Sequence, residues 1–183
     1  MGITNSNHSK QKGNAFERYS ASKLSGVFGV RLARVYTSGA MDMKGDLRPE
    51  VDKNGNIPPF NWVIECKNRK MYNIKQWLKQ LREEESVNNK HGLLVFHIHG
   101  TKRNMVALDA ELAKKCLYPE SVKDNIFKWT SRPIVKLHFN KVIEMVTCAL
   151  EYFGKELLLD MKFDKKKYVF MNLETFATLY RKD

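Results

Sequence analysis

The chain has 183 residues and a net charge of +12, from 32 Lys and Arg against 20 Asp and Glu. The length fits a single domain with an insertion, and the positive excess is more than solubility asks for, so it points to a polyanionic partner, nucleic acid ahead of a membrane surface. Three scattered cysteines, Cys66, Cys116 and Cys148, form no CxxC pair; they exclude a zinc ribbon and a disulfide framework and fit a reducing, cytoplasmic setting.

Residues 1–12 are polar, end in Lys10, Gln11 and Lys12, and predict a mobile basic arm. They carry no secretory signal, and the myristoylation-like start Met1-Gly2-Ile3-Thr4-Asn5-Ser6 is read as chance. Gly13-Asn14 opens a helix whose apolar stripe runs through Phe16, Ala21, Leu24, Val27 and Phe28. Asn14 is its expected N-cap. Glu17 then has two readings: the far half of a capping box, or a carboxylate on the buried stripe with a partner yet to be found. Arg18 and Lys23 lie off the stripe.

Val30 to Tyr36 partly alternates and predicts a strand, followed by the loop Thr37-Ser38-Gly39-Ala40. Lys44-Gly45-Asp46-Leu47 leads into a second strand, and Asp52-Lys53-Asn54-Gly55-Asn56 predicts a tight turn with positive φ at both Asn54 and Gly55. Its partner is Trp62-Val63-Ile64-Glu65-Cys66-Lys67-Asn68, an apolar strand that ends in charge. Side chains alternate along a strand, so Glu65 and Lys67 share one face and Ile64 and Cys66 the other. Alone, Glu65 and Lys67 could be a local ion pair. Antiparallel pairing of the hairpin brings Asp46 beside them, and three ionisable groups then converge.

Asn73 caps a helix to about Ser86, with Ile74, Trp77, Leu78 and Leu81 inward and Gln76 and Gln80 at i, i+4. Leu93 to His99 reads as a central strand covered on both faces. His97 and His99 share one face, but no third ligand lies near in sequence, and both are read as strand-end residues. Met105 to Leu108 returns as a strand, and Asp109 caps a helix to about Leu117. Beyond it, Ile134 to Phe139 is a short strand and Val142, Met145, Val146, Ala149, Leu150 and Phe153 form a helical stripe. Glu144, Glu151, Lys155 and Glu156 make this region too polar to span a membrane. Lys162 to Lys167 reads as a solvated basic loop, Tyr168 to Met171 as a strand, and Asn172 as the cap of a last helix.

The ordered set Lys12-Gly13-Asn14-Ala15-Phe16-Glu17-Arg18, Ser38-Gly39, Gly45-Asp46 and Ile64-Glu65-Cys66-Lys67 resembles the PD-(D/E)XK nuclease superfamily. Within it the likeness is to archaeal-type Holliday junction resolvases and their phage relatives, over residues 10–108 or so. Gly45 stands where the superfamily motif has Pro, and the stretch between Asp46 and Glu65 is longer than in compact resolvases. The resemblance implies an α/β (α+β) fold: a restriction-endonuclease-like core at residues 13–117, ordered α-β-β-β-α-β around a mixed sheet of about five strands flanked by helices. A C-terminal extension at 118–183 would pack on that core as part of one domain.

The resemblance also implies a metal-dependent DNA endonuclease, and most specifically a junction resolvase. Catalytic groups would be Glu17, Asp46, Glu65, Lys67, Gln80 and Ser38, with Gln76 a weaker alternative to Gln80. Mg²⁺, replaceable by Mn²⁺, would be held by Asp46, Glu65, the Cys66 carbonyl and Glu17. Lys10, Lys12, Arg18, Arg69 and Lys70 would contact DNA. A homodimer would supply paired active sites, with no membrane and no nucleotide cofactor involved. The competing readings are a nuclease of ordinary DNA, a non-catalytic basic DNA-binding protein and, on charge and the myristoylation-like start, a peripheral membrane protein.

Overall fold

The computed structural model describes residues 4–36, 45–117, 159–163 and 166–180. The chain falls into two units, residues 1–105 and 106–181.

The first unit begins with helix α1, Thr4–Phe28. Residues 4–12 are therefore helical, not an arm, and Asn14 lies inside the helix, so it caps nothing. Gly13 and Asn14 resemble a helix start because both are poor interior residues. Here they are carried by a helix whose inward side holds Phe16, Ser20, Ala21, Leu24 and Val27, all buried. The capping-box reading of Glu17 falls with that of Asn14.

Strands β1 (Leu32–Arg34) and β2 (Leu47–Pro49) pair antiparallel, with Leu32 opposite Pro49 and Arg34 opposite Leu47. Strand β1 is shorter than the alternation over Val30 to Tyr36 suggested. Strand β3 (Trp62–Lys67) is antiparallel to β2, Leu47 facing Ile64, and parallel to β4 (His91–His97), with Glu65 opposite Leu94 and Lys67 opposite Phe96. The unit is thus a mixed sheet in the order β1-β2-β3-β4. The turn at Asp52 differs from expectation. Gly55 alone in it has positive φ, +84°, and the Asp52 carboxylate accepts the N–H groups of Asn54 and Asn56, both at 2.8 Å. That Asx-type bonding holds Asn54 at negative φ.

Helix α2 (Ile74–Asn88) is capped as read: the Asn73 side chain accepts the Gln76 N–H at 3.3 Å. Asn89, in the left-handed region at φ 49°, ends it. The helices cover opposite faces of β3 and β4. Phe28 of α1 packs on Trp62 and Phe16 on His97, while Trp77 of α2 packs on Phe96. Leu24, Ile64, Leu78, Leu81, Leu93, Leu94 and Val95 are fully buried between them. This is a restriction-endonuclease-like α+β arrangement in the expected order, α-β-β-β-α-β.

Strand β5 (Asn104–Asp109) starts at the end of the first unit and runs into the second. There it is followed by α3 (Ala110–Cys116), capped by Asp109 through bonds to the N–H groups of Glu111 (2.9 Å) and Leu112 (3.3 Å). Strands β6 (Leu159–Phe163) and β7 (Lys166–Asn172) pair antiparallel, and the order is β5-β7-β6. Lys162 and Lys167 are register partners on these strands, so the basic run is largely strand, not loop. Helix α4 (Leu173–Leu179) starts at Asn172 without a side-chain cap bond. The expected elements at Ile134 to Phe139 and Val142 to Phe153 lie outside the described residues.

Candidate active site

Asp46 stands one residue before β2 and is tied to both neighbouring strands. Its N–H bonds to the Ile64 carbonyl (2.8 Å), its carbonyl accepts from Val35 N–H (2.9 Å), and its Oδ2 accepts the Cys66 N–H (2.7 Å). The carboxylate therefore takes over the pairing of β3 where the β2 ladder stops. The preceding Gly45 has φ +92°, and a Cβ there would come within 3.1 to 3.2 Å of the Ile64 backbone and Val63. Proline is locked near φ −65° and could not occupy this position.

Glu65 and Lys67 share the β3 face that meets α2. The Lys67 Nζ donates to Glu65 Oε2 at 2.6 Å and to Gln80 Oε1 at 3.2 Å. Gln80 in turn donates its Nε2 to Glu84 Oε1 at 3.1 Å. Gln76 is exposed and bonded to Asn73, so it belongs to the helix cap and not to this cluster. On the opposite face, the Cys66 thiol lies beside Ser20, and burial pushes its pKa well up. Cys66 is an inert buried thiol here, not a nucleophile.

Glu17 lies on the inner side of α1 and is paired with the Arg34 guanidinium from β1. Asp46 and Lys67 both act on it electrostatically, so it belongs to the same charged cluster. Burial raises its pKa, against the Arg34 hydrogen bond.

The electrostatics describe a site crowded with negative charge. Burial, with Glu65 beside it, pushes Asp46 up to about 6, against the Cys66 N–H and Lys67. Burial also raises Glu65; Lys67 pulls it back and Glu84 pushes it up again. For Lys67 burial disfavours the charge, but Glu65, Asp46 and Glu84 outweigh it and hold the pKa above the ordinary lysine value. In the metal-free site Lys67 is therefore held as an ammonium.

The hairpin reading brought Asp46, Glu65 and Lys67 together, the resemblance added Glu17 and Gln80, and neither pointed to two neighbours, Arg34 and Glu84. Glu84 could have been found as the i+4 neighbour of Gln80. Arg34 had only the weaker signal of a long cation within a short strand. Ser38 lies outside the described residues. His97 bonds through Nδ1 to the Asn104 side-chain oxygen (2.9 Å), and the His99 N–H donates to the Tyr72 hydroxyl. Lys10, Lys12, Arg18, Arg69 and Lys70 are all exposed. The Asn68 side chain reaches the Lys12 carbonyl at 3.5 Å, which sets the third turn of α1 beside the loop that follows Lys67.

Residues 8–160 match the family described as "Phage putative PDDEXK endonuclease". The chain belongs to this endonuclease family. No curated protein matches it. Asp46 and Glu65-Cys66-Lys67 spell the D…E-x-K part of the family signature. The φ of Gly45 accounts for the missing Pro.

PD-(D/E)XK nucleases use divalent metals, and the donors here fit one. Asp46 and Glu65 are hard oxygen ligands whose pKa values are raised by burial first, with Glu65 pressing on Asp46 and Glu84 on Glu65, a negative crowding that a cation would relieve. Among the described residues no three carboxyl, imidazole or thiol groups converge to hold an ion unaided. A carboxylate pair suits Mg²⁺, which keeps several waters and takes oxygens from substrate phosphate. Among the described residues no helix is long and apolar enough to cross a membrane.

Proposed function

We propose that this PDDEXK endonuclease is a Mg²⁺-dependent, structure-selective DNA nuclease that resolves four-way junctions. The observation that carries the nuclease chemistry is the Lys67 ammonium held 2.6 Å from Glu65, with Asp46 clamped to the next residue of the same strand. Asp46 and Glu65 would hold the metal with the Cys66 carbonyl, and Glu17 would complete the site through water. When bound, the ion supplies an activated water and neutralises charge on the phosphate.

The remaining work falls to the chain's own groups. Lys67 is an ammonium, so it donates: it orients the attacking water and offsets charge on the scissile phosphate. Gln80 fixes Lys67 on the side away from Glu65. Arg34 holds Glu17 toward the cluster. Ser38 is assigned to positioning the phosphate. Lys10, Lys12, Arg18, Arg69 and Lys70 would contact the sugar-phosphate backbone, which positions DNA by shape rather than base sequence. That mode suits a branched substrate. Two strands of a junction must be nicked symmetrically, so a homodimer with an isologous interface is the simplest assembly.

The test is cleavage of a synthetic four-way junction beside linear duplex and single strand, with and without Mg²⁺, for wild type and Lys67→Ala. Symmetric Mg²⁺-dependent nicks near the branch point, lost in Lys67→Ala, are expected. Equal cutting of every substrate would keep the active site and overturn junction selectivity. Binding without cutting in any metal would leave a basic DNA-binding protein.

A further inference from the structure

Glu84 has no place in the D…E-x-K signature, yet its carboxyl group is set against the cluster. One oxygen accepts from Gln80 Nε2 at 3.1 Å. The other is buried with no donor facing it among the described residues, and the carboxyl group stands within hydrogen-bonding reach of Glu65. Placing a second carboxyl near buried Glu65 is electrostatically unfavourable. A structural role for it, as a surface ion pair, is not what the geometry provides.

Gln80 is the key to what Glu84 does. A glutamine amide has an acceptor end and a donor end, and rotation by a half turn exchanges them. With its donor end toward Lys67 it would present N–H to an ammonium, and Lys67 would lose a partner. A carboxylate accepts only, so Glu84 selects the orientation with Nε2 toward itself and Oε1 toward Lys67. An ammonium has three N–H donors in tetrahedral array. Two are committed here, to Glu65 and Gln80. The third then has a fixed direction.

We infer that Glu84 is a positioning residue that locks the Gln80 amide and thereby aims the free N–H of Lys67 at the reacting phosphate or water. The inference rests on the nuclease reading above and adds a residue to it. Glu84 positions Lys67 through Gln80, beside its own contact with Glu65, and touches no substrate.

Single-turnover cleavage of the preferred DNA by Glu84→Ala, Glu84→Gln, Gln80→Ala and the Glu84→Ala/Gln80→Ala double variant tests it. Glu84→Ala should lower kcat about 10- to 100-fold, the range for partners that orient a reactive group, with KM for DNA unchanged. Glu84→Gln retains an oxygen acceptor and should stay within about threefold of wild type, a rescue that a purely electrostatic role would not give. The double variant should be no slower than Gln80→Ala alone. Multiplying losses, a Glu84→Gln as slow as Glu84→Ala, or a Glu84→Ala as fast as wild type would overturn the inference.

A second readout needs no cleavage. The side-chain amide protons of Gln80 in the metal-free protein should be shifted and slow to exchange in wild type and Glu84→Gln, and should move toward free-glutamine values in Glu84→Ala. Unchanged amide protons in Glu84→Ala would overturn the inference even if the chain cuts no DNA. An inactive wild type with the amide shift as expected would instead count against the nuclease reading alone.

Discussion

Gly45 fixes Asp46 because a side chain at φ +92° would press on the Ile64 backbone at 3.1 to 3.2 Å. Gly45→Ala must either adopt a conformation disfavoured for an L-residue or move the strand that supplies the carboxylate. Unfolding in urea should show a loss of about 2 kcal/mol, and cleavage should fall more than the stability loss explains, since Asp46 shifts with the backbone. The carboxylates give a second expectation. The folded pKa of Asp46, about 6, lies above its ordinary value of 3.8, and that of Glu65 is raised as well. At these two positions the folded, metal-free protein therefore binds more protons than the unfolded chain. The contribution of these two groups to stability is fully present below about pH 4 and is lost as pH rises through about 6 and beyond. Thermal midpoints without metal should drop between pH 5 and 8, Asp46→Asn should flatten that fall, and added Mg²⁺ should reverse it. A midpoint that rises with pH in the metal-free protein would contradict the burial of this pair. Single residues were legible where chemistry constrained them: a carboxylate on the buried side of α1 signalled Glu17, though its partner Arg34 was invisible until β1 was placed.

Elements with a clean period were the legible ones. The spacing of Ile74, Trp77, Leu78 and Leu81, all buried, and the capping Asn73 defined α2 from sequence alone. The run from Leu93 to Phe96 is buried throughout, as a strand covered on both faces requires. Helix α1 was mis-started because weak helix formers at Gly13 and Asn14 mimic a boundary, whereas packing of a long inner face outweighs a local cost of about 1 kcal/mol at such positions. The Asp52 turn was misjudged because a nearby carboxylate captured the N–H groups that a two-residue hairpin turn would leave to the ladder. At this scale the cap of α2 gives the prediction. Asn73→Ala removes the acceptor of the Gln76 N–H and should cost about 1 kcal/mol of stability in urea unfolding. Gln80 sits more than a turn further on, so cleavage below the melting range should be unchanged. A fall in kcat would mean that the helix start, and not only Gln80, positions Lys67.

For the molecule as a whole, the question is whether its +12 charge acts as a general attraction or through chosen positions. Total charge alone would make any five lysines equivalent in DNA binding. The site geometry argues otherwise: Lys12 and the loop carrying Arg69 and Lys70 are joined through the Asn68 side chain, directly after Lys67. Each phosphate contact releases counterions and contributes about 0.9 to the slope of log affinity against log salt concentration. Replacing Lys10, Lys12, Arg18, Arg69 and Lys70 together by Ala should therefore make the slope shallower by about 4.5. Replacing five other exposed lysines, Lys53, Lys79, Lys90, Lys102 and Lys115, removes the same charge and should change the slope by less than about 1. Titration of one labelled duplex with both variants over a range of salt decides between them. Equal slopes would assign the charge to long-range attraction alone and leave the DNA path across the protein undefined. Unequal slopes, with Lys67→Ala binding as wild type does, would separate the groups that hold DNA from those that cut it.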